Sequence, residues 1–190
     1  MTRFKRALEP SIHLARLTLR AFTDADEDRL FQSVRNSSAE LMPFLPWCHP
    51  QYARKDAKTW IRFAQATWRD QTQFAFLIEA SATGALIGGV GLDSPDANGD
   101  ANLGYWIRTD CTGYGYATEA ALGLAAEGLQ RLELNRVLIT LSVNNFASRQ
   151  VAIKTGAQFL RKTTGGLTLH GVKHDALVFA LTQPNIHLTV

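Results

Sequence analysis

Along the chain, the alternation and spacing of apolar side chains mark out most of the elements. Arg16-Leu17-Thr18-Leu19-Arg20 alternates polar with apolar and predicts a first strand. Thr23 then caps a helix over Asp24 to Asn36, with acids in its opening turn where the peptide dipole favours them. Pro43, Pro46 and Pro50 break any helix in the next stretch, so Met42 to Tyr52 is expected to be a loop carrying Phe44, Trp47 and His49, a candidate substrate wall. From Lys55 to Arg69 the spacing of Ala57, Ile61, Ala64 and Trp68 predicts a second helix. Phe74 to Glu79 and Ala85 to Leu92 read as strands joined across Ala82-Thr83-Gly84. A turn over Ser94 to Gly99 brings Ala101 to Arg108 back antiparallel, completing a meander of four strands.

A third helix is expected over Ala117 to Leu132, with Ala117, Ala121, Leu124, Ala125 and Leu129 on one face. Val137 to Ser142 is a strand, and Asn145 and Gly156 are natural caps at the two ends of a further helix. Gln158 to Lys162 and Ala176 to Leu181 give two last strands, with Gly165-Gly166 as their connector. The expected fold class is α/β (α+β): a mixed, largely antiparallel sheet with helices on both faces, in one domain over residues 1–190 with its core at about 16–182.

Composition narrows the function classes. A chain of 190 residues that is 46% hydrophobic and 19% charged can bury one full core. No apolar run is long enough to span a bilayer, and Arg3, Lys5 and Arg6 precede no apolar segment of a secretory signal, so a cytoplasmic protein is expected. Cys48 and Cys111 fit neither a disulfide framework nor a zinc spacing, and no metal is expected. The net charge of +3 is dispersed, without a basic aromatic stripe, which disfavours nucleic acid as a partner.

The chemistry concentrates in Thr112-Gly113-Tyr114-Gly115-Tyr116-Ala117-Thr118-Glu119-Ala120, where a strand passes through a glycine turn into a long helix. Such a junction leaves orphan N–H donors at the positive end of a helix, which suits an anion, although it also serves as a plain structural turn. A P-loop is excluded because Gly115 is followed by Tyr116-Ala117 rather than Lys and Ser or Thr. A dinucleotide fingerprint is excluded because the third glycine is missing and the next strand ends in Val143-Asn144-Asn145 without an acid.

The same hexapeptide, Thr112 to Ala117, resembles the coenzyme A diphosphate loop of the GNAT superfamily of N-acetyltransferases, patterned Gln/Arg-x-x-Gly-x-Gly/Ala. Gly115 and Ala117 fit, and Thr112 stands where the pattern has Gln or Arg. The strand, Asn-x-x-Ser helix start and glycine stop over Val137 to Ala157 are similar to the next unit of that family. Ala39 to Trp47, Leu86 to Leu92, Leu103 to Ile107 and Gly171 to Asp175 resemble its RimJ/RimL-like branch, the ribosomal-protein N-terminal acetyltransferases.

That resemblance implies acetyl-CoA as co-substrate, held by Thr112, Gly113, Tyr114, Gly115, Tyr116, Ala117 and Thr118 at its diphosphate. Trp106, Ile107, Asn145 and Ser148 would lie along the rest of it. It implies an acceptor amine, either a protein N-terminus or a small molecule, and a homodimer. Ser148 is the expected acid at the leaving thiolate, and the oxyanion donor is expected among the backbone groups of Tyr105 to Ile107, with Gly104 as a site for a bulge. The glutamate that the branch often carries after the glycine stop is absent from Gln158 to Lys162, which leaves His49, Asp93, His174 and Asp175 as candidates for the amine's proton. The same absence keeps open a second reading, a catalytically silent sensor that binds acyl-CoA.

Overall fold

The structure is a computed structural model that describes residues 3–183. Its frame is one eight-stranded sheet in the order β1-β2-β3-β4-β5-β6-β8-β7. The strands are β1 Ser11–His13, β2 Leu17–Ala21, β3 Phe74–Ala80, β4 Leu86–Leu92, β5 Asp100–Ile107, β6 Arg136–Ser142, β7 Gln158–Leu169 and β8 Val172–Leu181. All neighbours are antiparallel except β5 and β6, which run parallel and are joined by a helical crossover. No described helix is long and apolar enough to cross a membrane.

Alternation along the strands sends side chains to two cores. On β3, Phe76 and Ile78 belong to the cluster under helix α4 (Tyr116–Arg131), whereas Leu77 belongs to the cluster under helices α1 (Glu27–Asn36) and α3 (Arg54–Arg69). Helices therefore cover both faces, as the pattern predicts. Ala120, Ala121, Leu124 and Ala125 of α4 are fully buried, and the small alanines let the helix pack closely on β4 and β5.

Several elements differ from expectation for local reasons. The chain enters the sheet one strand earlier, at β1, so the meander before the glycine turn has five strands. The expected helix at Asp24 opens as a single 3-10 turn, Asp24–Asp26. The buried Asp26 carboxylate accepts from Thr23 N–H at 2.8 Å and binds Arg20 at 2.7 Å, and α1 starts only at Glu27. A four-residue helix, α2 (Ser38–Leu41), fits in just before Pro43. Gly165-Gly166 is not a connector. It lies inside β7 at a register shift, and the chain reverses at His170 and Gly171, whose φ angles of 49° and 81° make the tight hairpin turn. No shift occurs at Gly104, because β4 and β5 pair continuously from Gly88 with Ile107 to Leu92 with Leu103.

The β7–β8 turn also reaches across the molecule: His170 Nε2 lies 2.8 Å from the Met42 carbonyl just after α2. A short helix, α5 (Phe146–Lys154), closes the list, with Asn145 Oδ1 accepting from Ser148 N–H at 3.0 Å as its N-cap.

Two glycines with different neighbours test how tightly β4 sets β5. A Cβ at Gly88 would collide with the Trp106 carbonyl oxygen on the β5 backbone, whereas one at Gly123 would meet the movable tip of Leu14 at 2.5 Å. Gly88→Ala is expected to lower unfolding free energy by about 1–3 kcal/mol. Gly123→Ala should stay within about 1 kcal/mol of the parent. Denaturant midpoints of the two variants check the contrast.

Candidate active site

The site begins where the sheet divides. Strands β5 and β6 pair only over Asp100–Asn102 with Arg136–Leu138, and beyond Asn102 they diverge. Arg108 N–H donates to Ile87 and the Asn102 carbonyl accepts from Asp93, so even-numbered residues at this end of β5 face β4. Backbone polarity alternates along a strand, which turns the N–H groups of Tyr105 and Ile107 into the gap that β6 has left. Of the three expected oxyanion donors, Trp106 is thereby removed, since its N–H faces β4.

At the mouth of the gap stands the glycine turn. A 3-10 turn, Thr109–Cys111, leads into Gly113 and Gly115, with φ of 86° and 82°, and α4 begins at Tyr116. The N–H groups from Gly113 through Thr118 find no acceptor among the described residues, and the first helical bond is Glu119 N–H to Gly115. Successive donors around a left-handed glycine make an anion-binding concavity at the positive end of a helix. A Cβ built at Gly113 would meet nothing within 4 Å, so the space above the turn is open. The residues present therefore fit a diphosphate.

A cavity of about 500 Å³ runs from this turn along β5 to the start of α5. Tyr105, Trp106, Ile107, Thr112, Gly113, Gly115, Tyr116, Ala117, Thr118, Asn145 and Ser148 all line it. Two of the expected residues do not. Tyr114 offers its N–H, but the residue is 64% exposed, with its ring tilted against Tyr116 and outside the cavity lining. His49 sits before α3 with its Nε2 3.8 Å from the Asp56 carboxylate, and on that side of the loop it takes no part in the cavity wall. From the same loop Trp47 stacks edge-on to Trp106 at 6.1 Å without lining the cavity.

The other candidates for the amine's proton are also elsewhere. Asp93 faces Gln73 and Asn102 at the far end of β5. Asp175 pairs with Lys162 at 2.8 Å and accepts from Gly165 N–H, which together hold its carboxyl below the usual range. His174 beside it is opposite Leu167 in the β7–β8 ladder.

Within the cavity the best-defined polar contact joins its two sides. Tyr105 Oη lies 2.8 Å from Ser148 Oγ and 3.2 Å from the Ser148 carbonyl. Burial pushes the Tyr105 phenol up to about 12, against the opposing pull of its hydrogen bond with Ser148, so the pair is neutral at physiological pH. Cys111 on the wall is a thiol, pushed up by burial.

Wall residues that the sequence reading did not single out include Glu40, Thr109, Gln150, Val151 and Lys154. The last three fall at helical spacing from Ala147, a face that the period of α5 carries openly. Glu40 is less legible: it accepts from Thr109 Oγ1 at 3.0 Å across 69 positions, on a helix the prolines had obscured.

Comparison with known proteins agrees with this geometry. The profile of the Acetyltransferase (GNAT) domain matches residues 16–158. The chain belongs to the GNAT acetyltransferase family. That membership makes it an enzyme, an N-acetyltransferase that takes its acyl group from acetyl-CoA. The relative YdaF of Bacillus subtilis strain 168, provisionally named a ribosomal N-acetyltransferase, is 30% identical over 170 residues, 88% of this chain and 91% of YdaF. The ribosomal-protein-serine acetyltransferase of Escherichia coli K12 is 26% identical, over 74% of this chain and 78% of that one. Such relatives place the chain in the RimJ/RimL-like branch of the GNAT proteins. RimL, the ribosomal L7/L12 alpha-N-protein acetyltransferase solved with coenzyme A, shares the fold at a TM-score of 0.83 and 21% identity, covering 90% of this chain and 97% of RimL.

The turn can be tested directly. Gly115→Ala places a Cβ on a left-handed residue and is expected to cost about 1–2 kcal/mol in stability. It should also weaken coenzyme A binding, read by calorimetric titration, because the donors around it no longer converge.

Proposed function

We propose that this GNAT enzyme acetylates α-amino groups, with protein N-termini as the acceptor class, in one acetyltransferase domain. The observation that carries the proposal is the character of the cavity wall. Among the described residues it holds one carboxylate, the exposed Glu40 already engaged by Thr109, and no imidazole. An enzyme without a base at the reacting centre is best served by an amine that sheds its proton unaided. An α-amino group titrates near 8, a lysine side chain near 10.4, so at neutral pH the former presents far more of the free amine. The names of the ribosomal-protein relatives support the same acceptor class, and a small-molecule amine of similarly low basicity is the alternative acceptor.

In this reading acetyl-CoA supplies an activated acyl thioester. The N–H groups of Gly113 to Thr118 bind its diphosphate, and the β5 edge holds the pantetheine arm beside Trp106 and Ile107. Tyr105 and Ile107 N–H, which face the gap, are the oxyanion donors; such groups need no reorganisation when charge develops. Ser148 Oγ donates the proton that the departing sulfur takes up and regains one from Tyr105 Oη across their 2.8 Å contact. The proton that the attacking nitrogen loses as the amide forms passes through solvent water back to Tyr105, so that none is gained or lost overall. Asn145 fixes Ser148 by capping α5.

Ser148→Ala is expected to lower kcat by about 10²–10⁴-fold while leaving coenzyme A affinity nearly unchanged. Tyr105→Phe, which keeps the ring, should lower kcat less. Steady-state kinetics beside calorimetry separates the two effects, and full activity in Ser148→Ala would remove that residue from the chemistry.

The acceptor is tested by thiol release with a panel of peptides, lysine-bearing peptides acetylated at their N-termini, and small amines. The expected substrates are free N-terminal peptides, with kcat/KM rising through pH of about 8 as the amine deprotonates. A midpoint near that of histidine would instead show a base on the enzyme, and binding without turnover on any amine would favour the acyl-CoA sensor.

A further inference from the structure

Arg16 has no part in the cavity wall, yet it makes the densest set of contacts to the glycine turn. It sits in the turn between β1 and β2, where Leu14 N–H donates to the Leu17 carbonyl. From there it meets residues 98 and 103 positions further on. Its Nε donates to Glu119 Oε2 at 2.7 Å, its backbone N–H to Glu119 Oε1 at 2.7 Å, and its Nη1 to the Tyr114 carbonyl at 3.0 Å. The guanidinium carbon also stands 5.0 Å from the centre of the Tyr116 ring.

We propose that Arg16 is the positioning residue of the diphosphate-binding turn, acting through the Tyr114–Gly115 peptide plane and through Glu119. The proposal rests on the reading that this turn holds the diphosphate of acetyl-CoA. In a trans peptide the C=O and the following N–H point in opposite directions. Drawing the Tyr114 carbonyl outward therefore aims Gly115 N–H inward, and Gly115 lines the cavity. A planar guanidinium bonded to Tyr114 and Glu119 at once ties the turn to the first turn of α4, and a single-point ammonium does this less well.

Charge gives the second half of the argument. Glu119 is only 16% exposed and stands in the first turn of α4, where a carboxylate steadies the helix but repels an incoming anion. Arg16 cancels that charge without entering the cavity. The pair therefore keeps the stabilising carboxylate while leaving the positive end of the helix open to the ligand. Arg16 itself is 53% exposed, and an exposed pair adds little to global stability.

The test uses the full chain and the variants Arg16→Ala and Arg16→Lys, with coenzyme A as the binding probe and acetyl-CoA as the varied substrate. In Arg16→Ala, Kd for coenzyme A and KM for acetyl-CoA are expected to rise by on the order of tenfold to a hundredfold, while kcat at saturation stays within about twofold. Arg16→Lys should fall between the two, and it replaces the alanine variant should that one fail to fold. Thermal midpoints of the free proteins should shift by no more than about 4 °C. Unchanged Kd and KM would overturn the proposal, as would a fall in kcat matching the rise in KM, which marks general damage to the site. Were the parent protein itself not to bind coenzyme A, the reading of the turn would fall together with the proposal; were the parent and Arg16→Ala to bind equally, only the role of Arg16 would fall.

Discussion

The structure depends on one parting of strands. Parallel strands β5 and β6 hold together for three residue pairs and then separate, and that separation converts backbone into binding surface. Had the ladder continued, the N–H groups of Tyr105 and Ile107 would be spent on β6. Because the two strands run parallel, their C-terminal ends fall on the same side of the sheet, and the helix that follows each one starts there. The glycine turn with α4 and the Asn145-capped α5 thus flank a single opening, each presenting its positive end.

The cavity is chemically quiet for an enzyme site. Its key pair, Tyr105 and Ser148, is neutral and hydrogen-bonded across the opening. Electrostatic assistance comes from peptide groups and helix ends, which are held by secondary structure and carry no ionisation of their own. Supporting charges lie behind the wall. Arg20 joins Asp26 and Glu79 on one side of the molecule, and Arg16 joins Glu119 on the other. Both arginines come from β2 or the turn before it, so one short segment near the N-terminus braces elements that arrive much later in the chain.

Local signals in the sequence were enough for α1, α3 and α4, the hairpin of β3 and β4, the glycine turn and the capped α5. Each is specified within about a dozen residues by apolar period, a cap or a left-handed glycine. What was not legible depends on contacts made at a distance. The three-residue β1 is too short to show a period and exists by pairing with β2. Gly165-Gly166 resembles a turn on composition, but β8 pairs on both sides of it and carries β7 through. His49 and Tyr114 were placed at the site by their neighbours in sequence, whereas the directions of their side chains are set by Asp56 and Tyr116. Arg16, Glu40 and Thr109 gain their positions only when strands far apart in sequence are laid side by side.

The two register shifts in β7 have a bearing beyond the ladder in which they occur. That strand is the last of the sheet, twelve residues long and mostly exposed, and a flat, regular border of such length is a template for unwanted cross-strand association with other chains. Interrupting it between Phe159 and Arg161 and again between Thr163 and Leu167 bends its rim and breaks the even spacing a foreign strand would need. At the opposite border β1 reaches the same protection by brevity. The sheet is thus open at its centre, where a guest is wanted, and guarded at both margins, where none is.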